Sequence, residues 1–263
     1  MQNAGAGPAV PRDAARMIDP IEQFHIEKLF TIGHIGNQEI AFTNSSAYMF
    51  GSVALVSLLM IGSGRRLVPG RIQSVAEIAY EFVANTIRSN AGKDGMKFFP
   101  LVFTIFMLLA VSNMVGVIPY SFTIASHIVV TAALAFLVFF TLLIYGFYKN
   151  GLKFFKLFVP SGIPIFILPL VVFIEIFSFF LRPVSHSVRL FANMLAGHIA
   201  LAVFASFIPL LAGLGIVGYF GAILPLGMVI ALSALELLVA FLQAYVFTIL
   251  TCIYINDAIH PGH

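Results

Sequence analysis

Charge is what this sequence has least of: Asp, Glu, Lys and Arg make up 10% of its 263 residues, against 60% hydrophobic. Mean hydropathy is +1.02. A soluble domain of this length must show much of its surface to water and cannot hide so much apolar side chain. Lipid is therefore the expected solvent. A single cysteine, Cys252, excludes an intrachain disulfide and a multi-thiolate metal site, and reads as a small apolar core residue. Tryptophan is absent, which leaves any interfacial aromatic belt to the 8 Tyr and 28 Phe. The first 45 residues hold no apolar core of a signal peptide. Asp13, Asp19, Glu22, Glu27 and Glu39 put acids where a transit peptide has almost none. The formal net charge of +3 comes from dispersed basic residues, so no nucleic-acid partner is expected. There is no phosphate-binding loop and no clear internal repeat. The chain is thus expected to hydrolyse nothing by itself, and it calls for no cofactor and no metal.

What is present is a series of apolar runs. Residues 1–45 read as a tail followed by an interfacial helix from the Asp19-Pro20-Ile21-Glu22 start to about Phe30, with Asp at the cap and Pro in the first turn. Residues 46–263 read as a single membrane domain. Its first span is about 46–64, ending at Arg65-Arg66, and Val68-Pro69-Gly70 is a break. Ile72, Val75, Ala76, Ala79, Phe82 and Val83 then form a helical stripe opposite Glu77, Glu81 and Arg88. That pattern is an amphipathic surface helix that does not cross. Spans at 98–118 and about 126–148 flank a tight Ile118-Pro119-Tyr120-Ser121 connection, each near the ~20 residues a bilayer needs. Arg65, Arg66, Arg71, Arg88, Lys93 and Lys97 lie in one connection and Lys149, Lys153 and Lys156 in another. Both connections are expected inside, with the N-terminus outside and the C-terminus inside.

From Pro164 the hydropathy is nearly unbroken to Ile255. Arg182, His186, Arg189, Asn193 and His198 lie within the run 164–205 at no plausible loop. As one helix, that run would extend ~63 Å, about twice the ~30 Å hydrocarbon core, so it must tilt or bend, and Pro183 offers a bend. A second helix from about Pro225 to Ile255 is expected to pair with it across the Gly-rich stretch 212–221. The fold class is all-α: about five membrane helices plus a surface helix, the last two long, tilted and paired as a hairpin.

An arginine at bilayer depth costs ~2.5–3.5 kcal/mol on insertion scales, and its guanidinium stays protonated. Arg189 is therefore a fixed charge and not a proton carrier. Groups able to change protonation lie in the same region: Glu175, His186, His198 and Glu236. Arg182, Ser185, His186, Arg189 and Asn193 share one polar helical stripe, with His198 on roughly the opposite side. Glu236 and Gln243 share a face of the last helix. Ala192, Ala196, Gly197 and Ala200 would let another helix approach closely. Blander readings stand beside these. Arg182 could simply pair with Glu175 or snorkel, His186 and Asn193 could be packing residues, and Asn113 could make a helix–helix hydrogen bond. The candidate proton-translocation set is Arg189, His198, Glu236, Gln243, Asn193, Glu175, His186 and Ser185, with the channel core at 164–257.

The segment Ser187-Val188-Arg189-Leu190-Phe191-Ala192-Asn193-Met194-Leu195-Ala196-Gly197-His198 closely resembles the arginine-bearing segment of subunit a of rotary F-type ATP synthases. Residues 237–248, centred on Gln243, resemble that family's partner segment. Val68-Pro69-Gly70-Arg71 and the run from Ser112 to Tyr120 are also similar to its pattern. Many bacterial members carry an acid where His198 stands and a histidine where Glu236 stands. The exchange seen here resembles mitochondrial and alphaproteobacterial sequences. The resemblance implies a non-catalytic proton-conducting stator in the bacterial inner membrane, or alternatively the mitochondrial inner membrane. It implies two half-channels, with Arg189 facing a carboxylate on a rotating ring of subunit c. His198 and Glu236 would feed the outer half-channel with Glu175, while Asn193 and Gln243 orient Arg189 or water. Its implied partners are subunit c, the peripheral-stalk subunit b and the other ATP synthase subunits. Two other classes compete. A proton-coupled secondary transporter predicts paired repeats with interrupted helices. A haem subunit would need His186 and His198 on one face, and their spacing of twelve sets them on different ones.

Overall fold

The computed structural model describes residues 28–35, 38–64, 70–118, 121–159, 164 and 166–260. An antiparallel hairpin, β1 (Lys28–Ile35) and β2 (Gln38–Thr43), leads into helix α1 (Asn44–Gly62). Helix α2 (Arg71–Gly95) continues through a short 3₁₀ turn (Met96–Phe98) into α3 (Phe99–Gly116). After a loop with a 3₁₀ turn at Ile124–Ser126 comes α4 (Ile128–Asn150), then a 3₁₀ segment at Gly151–Phe158. Two very long helices close the chain, α5 (Leu168–Ala212) and α6 (Ile216–Ile259). Among the described residues five stretches are long and apolar enough to cross a membrane: α1, α2–α3 as one run, α4 with its 3₁₀ extension, α5 and α6. The chain is an all-α multi-pass membrane protein carrying one small β-hairpin.

The expected interfacial helix to Phe30 fails where it can be checked. Its last residues, Lys28 to Phe30, lie in β1, and the remainder falls outside the described residues, as does the tail 1–16. Phe30 stacks on Phe42 across the two strands at 4.9 Å between ring centroids. Such cross-strand aromatic pairs stabilise a hairpin that the weak helical periodicity before it does not outweigh. The Arg65 to Pro69 break and the Pro119-Tyr120 corner also lie outside the described residues.

Helix α2 is amphipathic as expected, with its buried face turned from the expected stripe. Ala76, Val83, Ala84, Ile87 and Ala91 are buried, while Ile72 and Val75 stand exposed. The small residues face inward because α6 passes close there. Glu77, Glu81 and Arg88 are exposed on the opposite side. The end of α2 bends at Gly92, whose φ of 65° suits glycine.

Helix α6 is the central element, packed by α2, α3, α4 and α5. Its buried stripe Ala240, Ala244, Thr248, Thr251 and Cys252 is built of small side chains spaced three or four apart. In lipid, packing of this kind holds helices together where hydrophobic burial cannot. Cys252 is fully buried, as its reading as a core residue anticipates. Polar clamps pin the bundle. Asn113 donates to the carbonyl of Ala240 at 3.3 Å, Asn150 to that of Ala258 at 2.8 Å, and the hydroxyls of Thr131 and Ser187 meet at 3.1 Å. The first of these is the helix–helix hydrogen bond considered for Asn113.

Helix α5 runs unbroken through Pro183, with 45 residues extending ~68 Å. Its two internal prolines, Pro183 and Pro209, are tolerable because neighbouring helices can serve the freed carbonyls. The Gly-rich stretch 212–221 divides differently from the expectation: only Gly213 to Gly215 form the turn, and α6 starts at Ile216. Gly215 has φ of 85°, a left-handed conformation that reverses the chain. Gly218 lies inside α6, where a Cβ would stand 2.0 Å from the Leu211 carbonyl oxygen. Only glycine lets the two helices begin so close together.

Candidate functional site

Two polar contacts fix the antiparallel register of α5 and α6. At one end His198 Nδ1 lies 3.2 Å from Glu236 Oε1. At the other, Arg182 donates from Nη1 to Asp257 Oδ2 at 2.6 Å and holds Glu175 at 3.6 Å. Between these anchors Gln243 is level with Asn193, and Arg189 is level with the turn of α6 around Phe247.

The polar stripe of α5 divides in the structure. Ser185, Arg189, Ala192, Asn193 and Ala196 are exposed, whereas His186, Ser187, Leu190, Met194 and His198 are buried. The alternation follows the 3.6-residue period: one face packs on the bundle and the other is open. Arg189 is the twenty-second of the 45 residues of α5 and projects from the open face. Among the described residues no carboxylate stands within ion-pair distance of it. Small side chains at Ala192 and Ala196 lie beside it, so this face offers a groove floor with one cation at its middle. Ser185 shares the face, but its hydroxyl is spent on the Leu181 and Arg182 carbonyls of its own helix.

Behind that face lies a buried polar chamber. His198 is 8% exposed and Glu236 5%. Gly197 is what brings the carboxyl group so close to α5, since a Cβ there would stand 2.9 Å from Glu236 Oε1. Neither carboxyl oxygen has a partner of good hydrogen-bond geometry among the described residues, the imidazole contact being off axis. The other ring nitrogen, Nε2, meets the hydroxyl of Thr123 at 2.6 Å, and Thr123 also donates to the Gly116 carbonyl at 3.1 Å. Gln243 is buried on the same helix as Glu236, two turns away. His186 packs edge-on against Phe247 at 3.8 Å between ring centroids, with its Nε2 buried and unpartnered. It is therefore a packed residue whose polar atom has no protein partner among those described.

Glu175 does not join this chamber. It sits 23 residues before His198 on the same helix, ~35 Å away, and pairs with Arg182 at the far end. The structure therefore does not bring Glu175 together with His198 and Glu236. The pairing reading of Arg182 is the observed one, in fuller form, with Asp257 as the nearer acid and the rings of Phe179 and Tyr254 stacked at 5.5 and 5.1 Å. Sequence reasoning passed over Asp257, Thr123, Thr131 and Ser187. Asp257 lies near the end of α6, and Thr123 sits in a connection with no local mark of function. Only a helix register or a loop fold could have picked them out.

The chain matches the family described as ATP synthase A chain over residues 46–256. It is 81% identical to the ATP synthase subunit a of Rhodopseudomonas palustris strain BisA53 over 249 residues, 94% of this chain and all of that one. It is 80% identical to ATP synthase subunit a of Nitrobacter winogradskyi over 94% of this chain and all of the relative. Its identity to ATP synthase subunit a of Nitrobacter hamburgensis is 78%, with the same coverage. A match covering most of the chain, on a multi-pass helical architecture with a charged residue midway along a membrane-length helix, places this chain in the ATP synthase subunit a family, the membrane-embedded F0 proton-channel component of the enzyme.

Proposed function

We propose that the chain is the stator half of a rotary proton path, with two half-channels that meet at Arg189. The observation that carries this reading is the open face of α5: an exposed guanidinium midway along a membrane-length helix, flanked by Ala192 and Ala196, with no described carboxylate to pair it. A charge so placed is too costly to leave facing hydrocarbon. Its partner is therefore a carboxylate on another subunit, packed closely over the small residues. The rotor ring of subunit c is that partner, and the exposed outer face of α2 suits the peripheral-stalk subunit b.

Arg189 attracts the ionised ring carboxylate and favours its charged form, whereas lipid favours the neutral form. A ring acid therefore releases its proton on reaching Arg189 and must regain one before leaving for lipid. The fixed charge also bars a bare proton from passing directly between the half-channels. Across the membrane each proton carries ~2.3 kcal/mol per 100 mV, so a leak at this point would discharge the machine. His198 and Glu236, ~14 Å along the axis from Arg189, serve the half-channel on the side of the loop after α3, which the distribution of basic residues sets outside. The N-terminus is then outside and the C-terminus inside, in a bacterial inner membrane. Asn193 and Gln243 flank Arg189 at one level and orient it or its water. The chain contributes no hydrolytic chemistry of its own.

Membranes carrying the complex with Arg189→Ala are expected to lose ATP-driven proton pumping, while the detached soluble head still hydrolyses ATP. Normal pumping in those membranes would overturn the assignment.

A further inference from the structure

The chamber around His198 contains a hydrogen-bonding arrangement that the identity of its residues alone does not explain. Thr123, 3% exposed in the loop after α3, brings its Oγ1 to 2.6 Å from His198 Nε2 and 3.1 Å from the Gly116 carbonyl oxygen. A hydroxyl has one proton to give and can accept as well. It cannot donate to both neighbours at once. When its O–H points to Gly116, Oγ1 accepts, and Nε2 must carry a proton. When its O–H turns to Nε2, that nitrogen must be bare. The carbonyl of Gly116 closes α3 and, as one of the last carbonyls of a helix, lacks an intrahelical partner.

We propose that Thr123 is the positioning residue of the His198–Glu236 site, a hydroxyl rotor that keeps Nε2 hydrogen-bonded whether or not the imidazole is loaded with a proton. The inference rests on the reading that His198 and Glu236 conduct protons. In the loaded state both ring nitrogens are protonated. Nδ1–H faces the Glu236 carboxylate, Nε2–H donates to Oγ1, and the hydroxyl donates to Gly116. In the empty state Nδ1–H still faces the carboxylate, and the hydroxyl has turned to donate to the bare Nε2. The two states differ by one proton, the one on Nε2, which leaves to or arrives from a water that takes the place of Oγ1 on that nitrogen while the hydroxyl turns. Without the rotor one of the two states loses the Thr123 hydrogen bond on Nε2 at a buried site, and the equilibrium shifts toward the other. Glu236 from α6 and Thr123 from the loop are polar partners of His198, and Glu236 is a charged group facing it. The loop fold keeps Thr123 in place: its main-chain carbonyl accepts the Ser126 hydroxyl at 2.6 Å, and the lack of a side chain on Gly116 leaves room for its methyl and hydroxyl.

The test uses inverted membranes containing the whole complex, with ATP-driven pumping and ATP synthesis normalised to assembled complex. Thr123→Val keeps the shape and removes the hydroxyl, and it should lower transport roughly ten-fold, less than the ~10²–10⁴-fold of a group that itself transfers the proton. Thr123→Ser restores the hydroxyl and should stay within about two-fold of the parent. In a His198→Ala background Thr123→Val should add nothing further. Should Thr123→Val fail to assemble, Thr123→Ala compared with Thr123→Ser decides the same point. Parent-level transport in Thr123→Val, or a loss in Thr123→Ser as deep as in Thr123→Val, would overturn the rotor. Parent-level transport in His198→Ala would instead remove the underlying relay, and the rotor with it. The two failures are therefore told apart.

Discussion

At the scale of single residues, the site depends on small groups as much as on charged ones. Gly197 is the clearest case, because the Glu236 carboxyl group occupies the space its side chain would fill. Gly197→Ala should displace that carboxyl group and cut ATP-driven pumping by on the order of ten-fold, since misplacing a reacting group by a full ångström can cost about 100-fold. Gly221→Ala, on the open side of α6 with nothing within 4 Å of its Cβ, is the control and should pump normally. Arg182 and Asp257 make a different kind of prediction. Their side chains keep 20% and 27% of their exposure, so the pair is partly screened. Asp257→Asn should still lower the thermal stability of the solubilised complex, by about 1–3 kcal/mol for a hydrogen bond to a charged group. The double change Arg182→Gln with Asp257→Asn should recover part of that loss. If the double variant melts no higher than the single, the ion pair is not what holds this end of α5 and α6 together. Arg189, His198, Glu236 and Gln243 were legible one by one, because ionisable and polar groups are rare in such apolar surroundings. Thr123 was not, since a threonine in a loop is common and its importance comes wholly from the histidine it meets.

The helix is the next scale, and here α5 carries the main result. Hydropathy and the spacing of its polar residues called for one continuous helix, and Leu168–Ala212 is one. A cysteine scan of 182–198, in a background with Cys252 replaced, should show reactivity with a small thiol reagent rising and falling every three to four positions. Positions 184, 185, 188, 189, 192, 193 and 196 should react, and 183, 186, 187, 190, 194 and 198 should stay silent, following the open and packed faces. A continuous reactive block at 182–188 would mean an aqueous loop and would take Arg189 away from mid-membrane. The single expected polar stripe nonetheless divides in two, because a helix packed on one side sorts residues within about 100° of each other into contact and exposure. His186 and Arg189 are only three residues apart and fall on opposite sides of that boundary. The stripe expected on α2 moves for the same reason. Its inward face combines the small Ala76, Ala84 and Ala91 with Val83 and Ile87, and leaves Ile72 and Val75 outside.

At the scale of the whole molecule, the site is an assembly of three segments: the loop after α3, the middle of α5 and the first half of α6. His198→Ala and Glu236→Gln should therefore behave as one unit, each causing most of the loss seen in the pair, so that the double-mutant cycle on proton pumping is strongly non-additive. Independent, multiplicative losses would mean two separate routes. Composition by itself determined that this chain lives in lipid, since no soluble surface could accommodate 60% hydrophobic residues. Local order along the chain determined the spans, the continuous α5 and the pairing of two long helices, because those depend on periodicity and on where glycine and proline fall. Tertiary structure alone decided which end of the hairpin each acid serves. Glu175 has Arg182 seven residues along its own helix, but nothing local shows that Asp257 joins that pair or that Glu236 meets His198. The antiparallel register brings Asp257 to Arg182 and Glu236 to His198, while Glu175 lies ~35 Å from His198 along α5. A register of that kind is fixed by side chains distant in sequence fitting together, Gly197 against Glu236 and Gly218 against Leu211, and no window of local sequence contains it.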